Sequence, residues 1–465
     1  MKRGIVMLLP LLGLAACKTD QARDVRAYRA IGDPPGDTPR HAAGQPLSVL
    51  EALRLTAVYN ERMAIQGEAY VQALAQRQRF ASALRPTIDF FAQTSLRENT
   101  GSSGVAQTSA GLTAQYRLLT GMSDLRNVEA AEARVTSREW LILDLREAIL
   151  LETVQVYYDT LRAERSADVL ESSVRAQQAR LDDARARNEV GFTRPLDVAQ
   201  IEAQVSRTRT QLITSIGQAK EGRAALELLT GAPLEGSQLA DGFVPGEQDR
   251  DVARLTAVAL QHRQDLVVAR AEADAARREV DAAIGQYAPS IGVSLDWFLV
   301  QTPDQSPAAL ASLIQLRVPL FSAGRIEADV RESWSIFRQR VLEYQLRRRE
   351  VQRDITAAAA QLQASLARAG ELATQVKAAS QALALAEAAY QAGLGTNLER
   401  TTAQDQLLAA QLQATSEEFT TKTAVLSLWR ACGLLSSSSI STRVPEPPAI
   451  AEPTSPLVER TEGGA

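Results

Sequence analysis

The chain has 465 residues and carries 51 lysine and arginine side chains against 55 aspartate and glutamate side chains, for a net charge of −4. This balance gives no reason to expect nucleic acid as a partner. The two histidines, His41 and His262, lie far apart, with no array of cysteines or carboxylates at ligand spacing. That distribution argues against a histidine-based metal site.

The first segment has the layout of a secretory signal peptide. Two basic residues precede an almost wholly apolar run over residues 4–16, which is shorter than the roughly 20 apolar residues of a membrane-spanning helix. Its LAAC ending resembles the lipobox of bacterial lipoproteins, in which the signal is removed before the cysteine and the cysteine is acylated. The alternative is an ordinary signal peptide that ends near a cysteine. We predict a signal peptide over residues 1–16, a covalent lipid on Cys17 and no other cofactor. Because Lys18 follows the cysteine, we expect delivery to the outer membrane.

After the signal, the sequence predicts the same series of elements twice. Each series begins with a helical stretch and continues with two short alternating runs separated by a polar loop. A very long helix, a tight turn and a second long helix follow. The predicted helices cover residues 48–83, 125–189 and 195–230 in the first series, and residues 252–286, 326–391 and 397–431 in the second.

The two series align with each other. NEVGFTRPLDVAQIEAQ, from residue 188, matches YQAGLGTNLERTTAQDQ, from residue 390, so that Gly191 falls on Gly393 at an offset of 202 residues. Upstream the offset is 203 residues, and Gly121 falls on Gly324. Chance similarity between alanine-rich helices would not keep the proline, glycine and turn positions in register. We therefore predict a duplicated helix–strand–strand–helix unit.

Four short runs alternate apolar and polar residues with a period of two, as half-buried strands do. TIDFFAQTSL, from Thr87, places Ile88 and Phe90 on one face and Asp89 on the other, with Phe91 as an exception. Each run has about 10 residues, the length of a tilted strand that crosses a bilayer. A soluble antiparallel sheet is the alternative, but the exported, lipid-anchored context favours membrane strands. The other runs are SAGLTAQYRL from residue 109, SIGVSLDWFL from residue 290 and ALASLIQLRV from residue 309.

Four strands cannot close a barrel on their own. In lipid an open sheet edge would leave backbone groups unpaired, at a cost of several kcal/mol each. Two copies of the chain would give eight strands with a filled interior, whereas three would give twelve strands around a water-filled lumen. A transport function favours three copies. The predicted fold is therefore mainly α, with four strands per chain in a trimeric twelve-stranded membrane β-barrel that continues into a long α-helical periplasmic tunnel.

The second halves of the two very long helices carry a heptad seam. Apolar and small residues recur there at alternating steps of four and three, as in coiled coils. Small seam residues let helices approach closely and suit a wall of many helices. The seam residues are Ala163, Ala167, Leu170, Val174, Gln177, Leu181 and Ala184 in the first unit, and Ser365, Ala369, Leu372, Val376, Ala379, Leu383 and Ala386 in the second.

With this order of elements, the chain resembles the TolC-type outer-membrane channels, the outer membrane efflux proteins. The resemblance covers residues 46–433. It rests on the duplicated unit, on the turns at Gly191 and Gly393, and on VPLFSAGR from residue 318, which resembles the strand exit of the family. The first-unit equivalent, YRLLTGMS, is looser. The resemblance implies a homotrimer in the bacterial outer membrane, with a barrel, a helical tunnel and no catalytic residues.

The resemblance also implies the partners. Members of the family are passive exit ducts of tripartite efflux or type I secretion systems, contacted by a periplasmic adaptor protein and supplied by an inner-membrane transporter. We therefore expect a transport protein, not an enzyme, with outer-membrane lipid around its barrel. A periplasm-spanning coiled-coil lipoprotein scaffold without a pore is the alternative, since it would share the heptads without needing the strands. A periplasmic adaptor would need a lipoyl-like β module, which we do not find in the sequence.

The two turns would form the periplasmic tip of the tunnel. Gly191 and Gly393 fit the left-handed residue that ends a helix, whereas Pro195 suits a first helical turn and Asn397 a helix cap. In the family, such tips close the tunnel and meet the adaptor. The candidate adaptor-binding residues are Gly191, Phe192, Thr193, Arg194, Leu196, Gly393, Leu394, Gly395, Thr396 and Leu398.

Two acidic residues are the candidates for the periplasmic aperture. Asp197 and Glu399 follow the turn glycines, at positions where the family places acidic residues near the tunnel entrance. Thr402 stands where a further acid is common, so the second turn departs from the pattern. The alternative is that Asp197 and Glu399 are helix-start charges stabilised by the helix dipole.

The remaining segments complete the organisation of the chain. Residues 17–45 contain proline, glycine and charge without a period, and we expect an extended tether from the lipid. Residues 434–465 have the composition of a disordered tail. The units span residues 46–231 and 251–433, and residues 232–250 link them at mid-tunnel.

Overall fold

The computed structural model of the protein describes residues 21–31, 41–42, 44–99, 102–244, 246, 251–302 and 310–435. The predicted signal peptide, Cys17 and nearly all of the predicted tail lie outside these residues. In chain order the elements are α1 (Gln21–Arg29), β1 (Leu47–Ser48), α2 (Val49–Tyr59), α3 (Glu61–Ser82), β2 (Thr87–Asn99), β3 (Ser102–Thr120), α4 (Ser123–Glu189), α5 (Pro195–Thr230), β4 (Leu239–Ala240), α6 (Val252–His262), α7 (Gln264–Gly285), β5 (Ser290–Thr302), β6 (Leu310–Arg317), α8 (Arg325–Gln391) and α9 (Asn397–Ala431).

The order of elements confirms the duplicated unit. α4 and α8 have 67 residues each, and each follows a pair of strands and precedes a second long helix. The predicted first helical stretches are each divided in two, because Asn60 and Arg263 have extended backbones. Asn60 begins the new helix, since its side chain accepts a hydrogen bond from the backbone N–H of Arg62 at 3.1 Å.

The turns into α4 and α8 differ from the predicted alignment. The left-handed pairs are Gly121–Met122 before α4 and Ala323–Gly324 before α8. Gly121 therefore corresponds to Ala323, and the predicted match of Gly121 with Gly324 is wrong. The extra residue of spacing lies upstream of the turn, within the first hairpin: Thr87 pairs with Gln115, whereas Ser290, 203 residues later than Thr87, pairs with Arg317, 202 residues later than Gln115.

The four alternating runs form one antiparallel sheet in the order β2-β3-β5-β6. The register places Ile88 beside Ala114, Phe90 beside Leu112 and Leu112 beside Trp297, so the predicted apolar residues share one face. The strands have 13, 19, 13 and 8 residues in chain order, and β3 is thus longer than predicted. Within the described residues, one edge of β2 and one edge of β6 have no strand partner.

The exception in the alternation, Phe91, has a packing partner on the opposite face. Its ring lies edge to face with the ring of Phe298, with centroids 5.7 Å apart. Gly111 of β3 lies between them in the register. A Cβ atom at Gly111 would lie only 2.2 Å from the carbonyl oxygen of Trp297, so glycine is needed for this close approach.

The main hydrophobic core lies at mid-length of the long helices, and the inter-repeat linker is part of it. β1 and β4 pair in parallel, with Leu47 beside Leu239. The Tyr157 hydroxyl of α4 lies 2.7 Å from the carbonyl oxygen of Leu47 and 2.8 Å from that of Ala240. One side chain thus holds the first residues of the unit and the linker against α4.

Tyr157 and the adjacent Tyr158 form a matched pair for measuring this contact. Both are buried, but the Tyr158 hydroxyl has no hydrogen-bond partner. We expect Tyr157→Phe to lower the free energy of unfolding by about 1–2 kcal/mol, because the two carbonyl groups that share its single O–H lose their donor. Tyr158→Phe removes an unpaired buried hydroxyl and should leave stability unchanged or higher. Denaturant unfolding of both variants checks this, and equal losses would contradict it.

The segment predicted as an extended tether contains a helix, so that prediction is wrong for residues 21–29. α1 packs against α3, and Tyr28 lies over Gly67. A Cβ atom at Gly67 would lie 2.4 Å from the Tyr28 ring, so the close packing depends on the glycine. α1 is therefore held against the first unit.

The predicted seam is buried on α4 but mostly not on α8. In α4, Ala163, Leu170, Gln177, Leu181 and Ala184 are buried, whereas in α8 only Ser365 and Ala379 are. The difference arises because α4 contacts both α5 and α9, while α8 contacts α9 along this half. No helix in the described part of the chain is long and apolar enough to cross a membrane.

Candidate functional site at the helical tip

The two interhelical turns have the predicted backbone. Gly191 follows α4 with φ of 80°, and Gly393 follows α8 with φ of 72°, in the left-handed region that glycine adopts without strain. Pro195 is the first residue of α5. The cap of α9 is Thr396, not Asn397 as predicted, because the Thr396 hydroxyl is the group that accepts a backbone N–H.

The tip residues expose large apolar side chains. Phe192 is 85% exposed and Leu394 is 88% exposed, at equivalent turns of the two units. Leu196 and Leu398, in the first turns of α5 and α9, are also exposed. Exposed apolar side chains mark interaction sites where they form a contiguous patch, and these four lie in two equivalent turns.

Asp197 is paired within its own chain. Its two carboxylate oxygens each lie 3.0 Å from the Arg194 guanidinium, and the residue is buried. This bidentate pair is the geometry in which arginine binds carboxylate most strongly. The negative charge of Asp197 is therefore largely balanced by the residue at the start of α5.

Glu399 occupies the equivalent position but is exposed. It completes a capping box: the Thr396 N–H donates to the Glu399 carboxylate at 2.8 Å, and the Glu399 N–H donates to the Thr396 hydroxyl at 3.2 Å. No basic side chain among the described residues forms an ion pair with it. Its charge is thus not balanced by an ion pair in this part of the structure, and the role of both acids at an aperture stays a prediction.

A polar layer that sequence reasoning missed joins the four tip helices. Arg180 of α4 contacts Glu387 of α8 and Gln404 of α9. Arg400 lies 4.2 Å above the ring of Tyr390, and burial lowers the pKa of this arginine. These partners are more than 200 residues apart or on different helices, and no local pattern identifies them. A small cavity in the layer is lined by Gln177, Arg180, Ile201, Gln204, Arg400, Thr401 and Gln404.

Asp405 is a further acid of this region that the sequence analysis did not select. Gln204 and Arg207 of α5 contact its carboxylate. Burial raises the pKa of Asp405, and the Arg207 charge opposes that rise. Across the described part of the chain, no cluster of three or more potential ligands could hold a metal ion.

A second ionic cluster lies at mid-length. Arg430 of α9 contacts both Asp144 and Glu147 of α4, at 3.1 Å in the case of Glu147. Gln264 donates a hydrogen bond to Glu147 at 2.6 Å. Burial raises the pKa of Glu147 to about 7, against the lowering effect of Arg430 and of the Gln264 hydrogen bond.

This pKa predicts how stability changes with pH. In the unfolded chain Glu147 ionises near its ordinary pKa of 4.5, while in the folded chain it keeps its proton up to about pH 7. The contribution of Glu147 to the free energy of unfolding is therefore fully present below pH 4.5. It falls by roughly 3 kcal/mol as the pH rises to about 7. We expect Glu147→Gln to remove this part of the pH dependence.

Denaturant unfolding of the wild type and of Glu147→Gln between pH 5 and pH 8 measures the difference. Glu171, which is exposed on the same helix, is the matched control. Glu171→Gln should retain the wild-type slope. Parallel curves for the wild type and Glu147→Gln would show that Glu147 does not titrate in this range.

The family of the chain follows from a match to a known family that covers both structural units. A family model described as "Outer membrane efflux protein" matches residues 65–232 and 255–434, which are the two structural units. The chain belongs to this family of TolC-type channels of the bacterial outer membrane. The predicted mainly α fold with a β contribution and the predicted outer-membrane location are thereby confirmed.

Individual relatives are distant but cover most of the chain. It is 24% identical to outer membrane efflux protein BepC of Brucella suis over 395 residues, which cover 83% of this chain and 82% of that protein. It is 21% identical to outer membrane protein TolC of Vibrio cholerae over 419 residues, or 86% of this chain and 95% of that protein. The solved CmeC outer membrane channel of Campylobacter jejuni has the same fold, with a TM-score of 0.77 at 15% identity over 88% of this chain and 93% of that chain.

Proposed function

We propose that the protein is the passive exit duct of a tripartite efflux or type I secretion system and that it acts as a homotrimer. The sheet of β2, β3, β5 and β6 is the observation that carries this proposal. Its apolar face is open, with Ile88 71% exposed and Trp297 51% exposed, and its outer edges are unpaired within the described residues. In lipid such edges must be paired, so other copies of the chain would complete the sheet.

Three copies suit a duct better than two. With β6 of one copy beside β2 of the next, three sheets give twelve strands and leave a lumen, whereas eight strands are filled by their own side chains. The helices support contact between copies as well. The α8 seam is largely uncovered, and Leu385 beside it is 72% exposed, as expected of a face that packs on another chain.

The partners would bind at the tip. The exposed Phe192 and Leu394 offer apolar anchors in two equivalent turns, where an adaptor protein would bind. An inner-membrane transporter would supply the cargo and the energy, since the proposed duct is passive. Cargo would then move down the tunnel and out through the barrel.

Conductance of the purified full-length protein in planar bilayers tests the duct. We expect ion conductance together with a trimeric mass by native mass spectrometry in detergent. A helical dimer that conducts under no condition would favour the alternative, a coiled-coil lipoprotein scaffold without a pore, and would overturn the duct.

We further propose that Cys17 carries the lipid anchor. Support comes from its place directly after the apolar signal run and from the outer-membrane family of the chain. Cys17→Ser, with a cleavable signal supplied, should lose the acyl mass but still assemble, because the barrel anchors the protein by itself. Mass spectrometry of the mature N-terminus checks this, and an unmodified residue 17 or cleavage elsewhere would contradict it.

A further inference from the structure

The two strands that lead into the long helices carry the same short pattern near their helix ends. β3 has Gln115 and Arg117 within its last six residues, and β6 ends with Gln315 and Arg317, each arginine followed by an apolar residue. Arg117 pairs with Gly292 of β5, and Gly292 pairs with Gln315. Because residues two apart share a face of a strand, all four polar side chains lie on one face of the sheet. This is the polar face, opposite Ile88 and Trp297.

The space around the two arginines is open, and Asp124 is the one acid that forms an ion pair with either of them among the described residues. Arg317 is exposed and forms no ion pair within the described residues. The side chain of Arg117 is 57% exposed, with the Asp124 carboxylate 3.5 Å away. Between them, β5 contributes Ser290 and Gly292, and a Cβ atom at Gly292 would meet no other atom within 4 Å.

The acids of the same face lie farther along the strands. Asp89 and Asp296 both stand opposite Thr113, four residues from Arg117 on β3 and therefore roughly 13 Å away. That distance exceeds the Debye length of about 8 Å at physiological salt. The polar face is thus divided into a basic row at the helix side and an acidic row beyond it.

We propose that Arg117 and Arg317 form an anion-binding ring where the tunnel enters the barrel. The inference rests on the proposed trimeric duct. In a membrane barrel the apolar face meets lipid and the polar face lines the lumen, so three copies place six arginines around one axis. The ring takes small and polyvalent anions, and anionic groups of the cargo.

The expected change in ion selectivity follows from the dimensions of the proposed barrel. Twelve strands spaced ~4.8 Å apart and tilted by about 40° give a backbone radius of roughly 12 Å. Six charges at that radius, screened by physiological salt, change the ratio of chloride to potassium permeability about fivefold. At 1 M salt the Debye length falls to about 3 Å, and the contribution of the ring to ion selectivity should nearly vanish.

Two measurements on the full-length protein in planar bilayers test the ring. The reversal potential in a KCl gradient gives the permeability ratio, and tripolyphosphate added on the extracellular side, away from the helical tip, probes anion block. We expect the double variant Arg117→Gln, Arg317→Gln to lower the chloride-to-potassium ratio about fivefold and to lose the block. The corresponding double lysine variant should restore both, because lysine retains the charge.

A substitution of opposite sign provides the matched control. Asp89→Asn removes a negative charge from the same face and should raise the chloride-to-potassium ratio. A pore whose selectivity and tripolyphosphate block are the same in the wild type and the glutamine double variant would overturn the ring while leaving the duct intact. A chain that forms no pore would overturn the duct and the ring with it.

Discussion

Arg263→Ala should lower the free energy of unfolding by about 3–5 kcal/mol, because it removes the shared cation of a buried ionic cluster. Arg263 stands in the break between α6 and α7, with its side chain only 7% exposed. Its guanidinium donates to Asp265 at 3.0 and 2.6 Å and to Asp354 of α8 at 3.0 Å. Without it, the largely buried Asp265 carboxylate loses its main partner, and the partly exposed Asp354 carboxylate keeps only Arg353.

Arg353 is the matched control for this substitution. It contacts the same carboxylate, Asp354, at 2.7 Å, but its side chain is 72% exposed, so solvent screens the pair. Arg353→Ala should change stability little. Urea unfolding of the purified protein in detergent measures both variants. Similar losses for the two variants would show that the burial of Arg263 does not determine how much the ionic cluster contributes to the free energy of unfolding.

Much of this fold can be predicted from local sequence patterns. The bounds of α5 and α9 follow from Pro195, from the turn glycines and from the apolar period, all of which act within a few residues. The alternation of the strands is equally local, and the sheet confirms which residues share a face. The duplication made each pattern visible twice, so Gly191 and Gly393 could be identified by their shared register.

The rest depends on contacts between distant segments. Phe91 breaks the alternation because its partner, Phe298, lies on a strand of the other unit. The Arg180 contacts at the tip and the ionic cluster of Glu147 and Arg430 join helices from different units. The two-residue strand β4 forms because β1 lies beside it. None of these has a periodic signal, since each is specified by packing in three dimensions.

The two candidate aperture acids differ in the structure although they align in sequence. Asp197 is buried and paired with Arg194, whereas Glu399 is exposed and closes a capping box. A glutamine can take the place of glutamate in a capping box. Glu399→Gln therefore removes the charge while keeping the start of α9, with an expected stability change of at most about 0.3–1 kcal/mol from the helix dipole.

Glu399→Gln should weaken the preference of the pore for cations at least roughly twofold and relieve part of the block by multivalent cations added on the periplasmic side. Three copies would bring three Glu399 carboxylates to one axis, where like charges attract cations most strongly if the tunnel is narrow and poorly screened. Asp197→Asn should have a smaller effect, because Arg194 already balances that charge within the chain. Single-channel recording of both variants distinguishes an aperture acid from a helix cap. Unchanged selectivity and unchanged block in Glu399→Gln would place Glu399 outside the aperture and leave the capping box as its whole role.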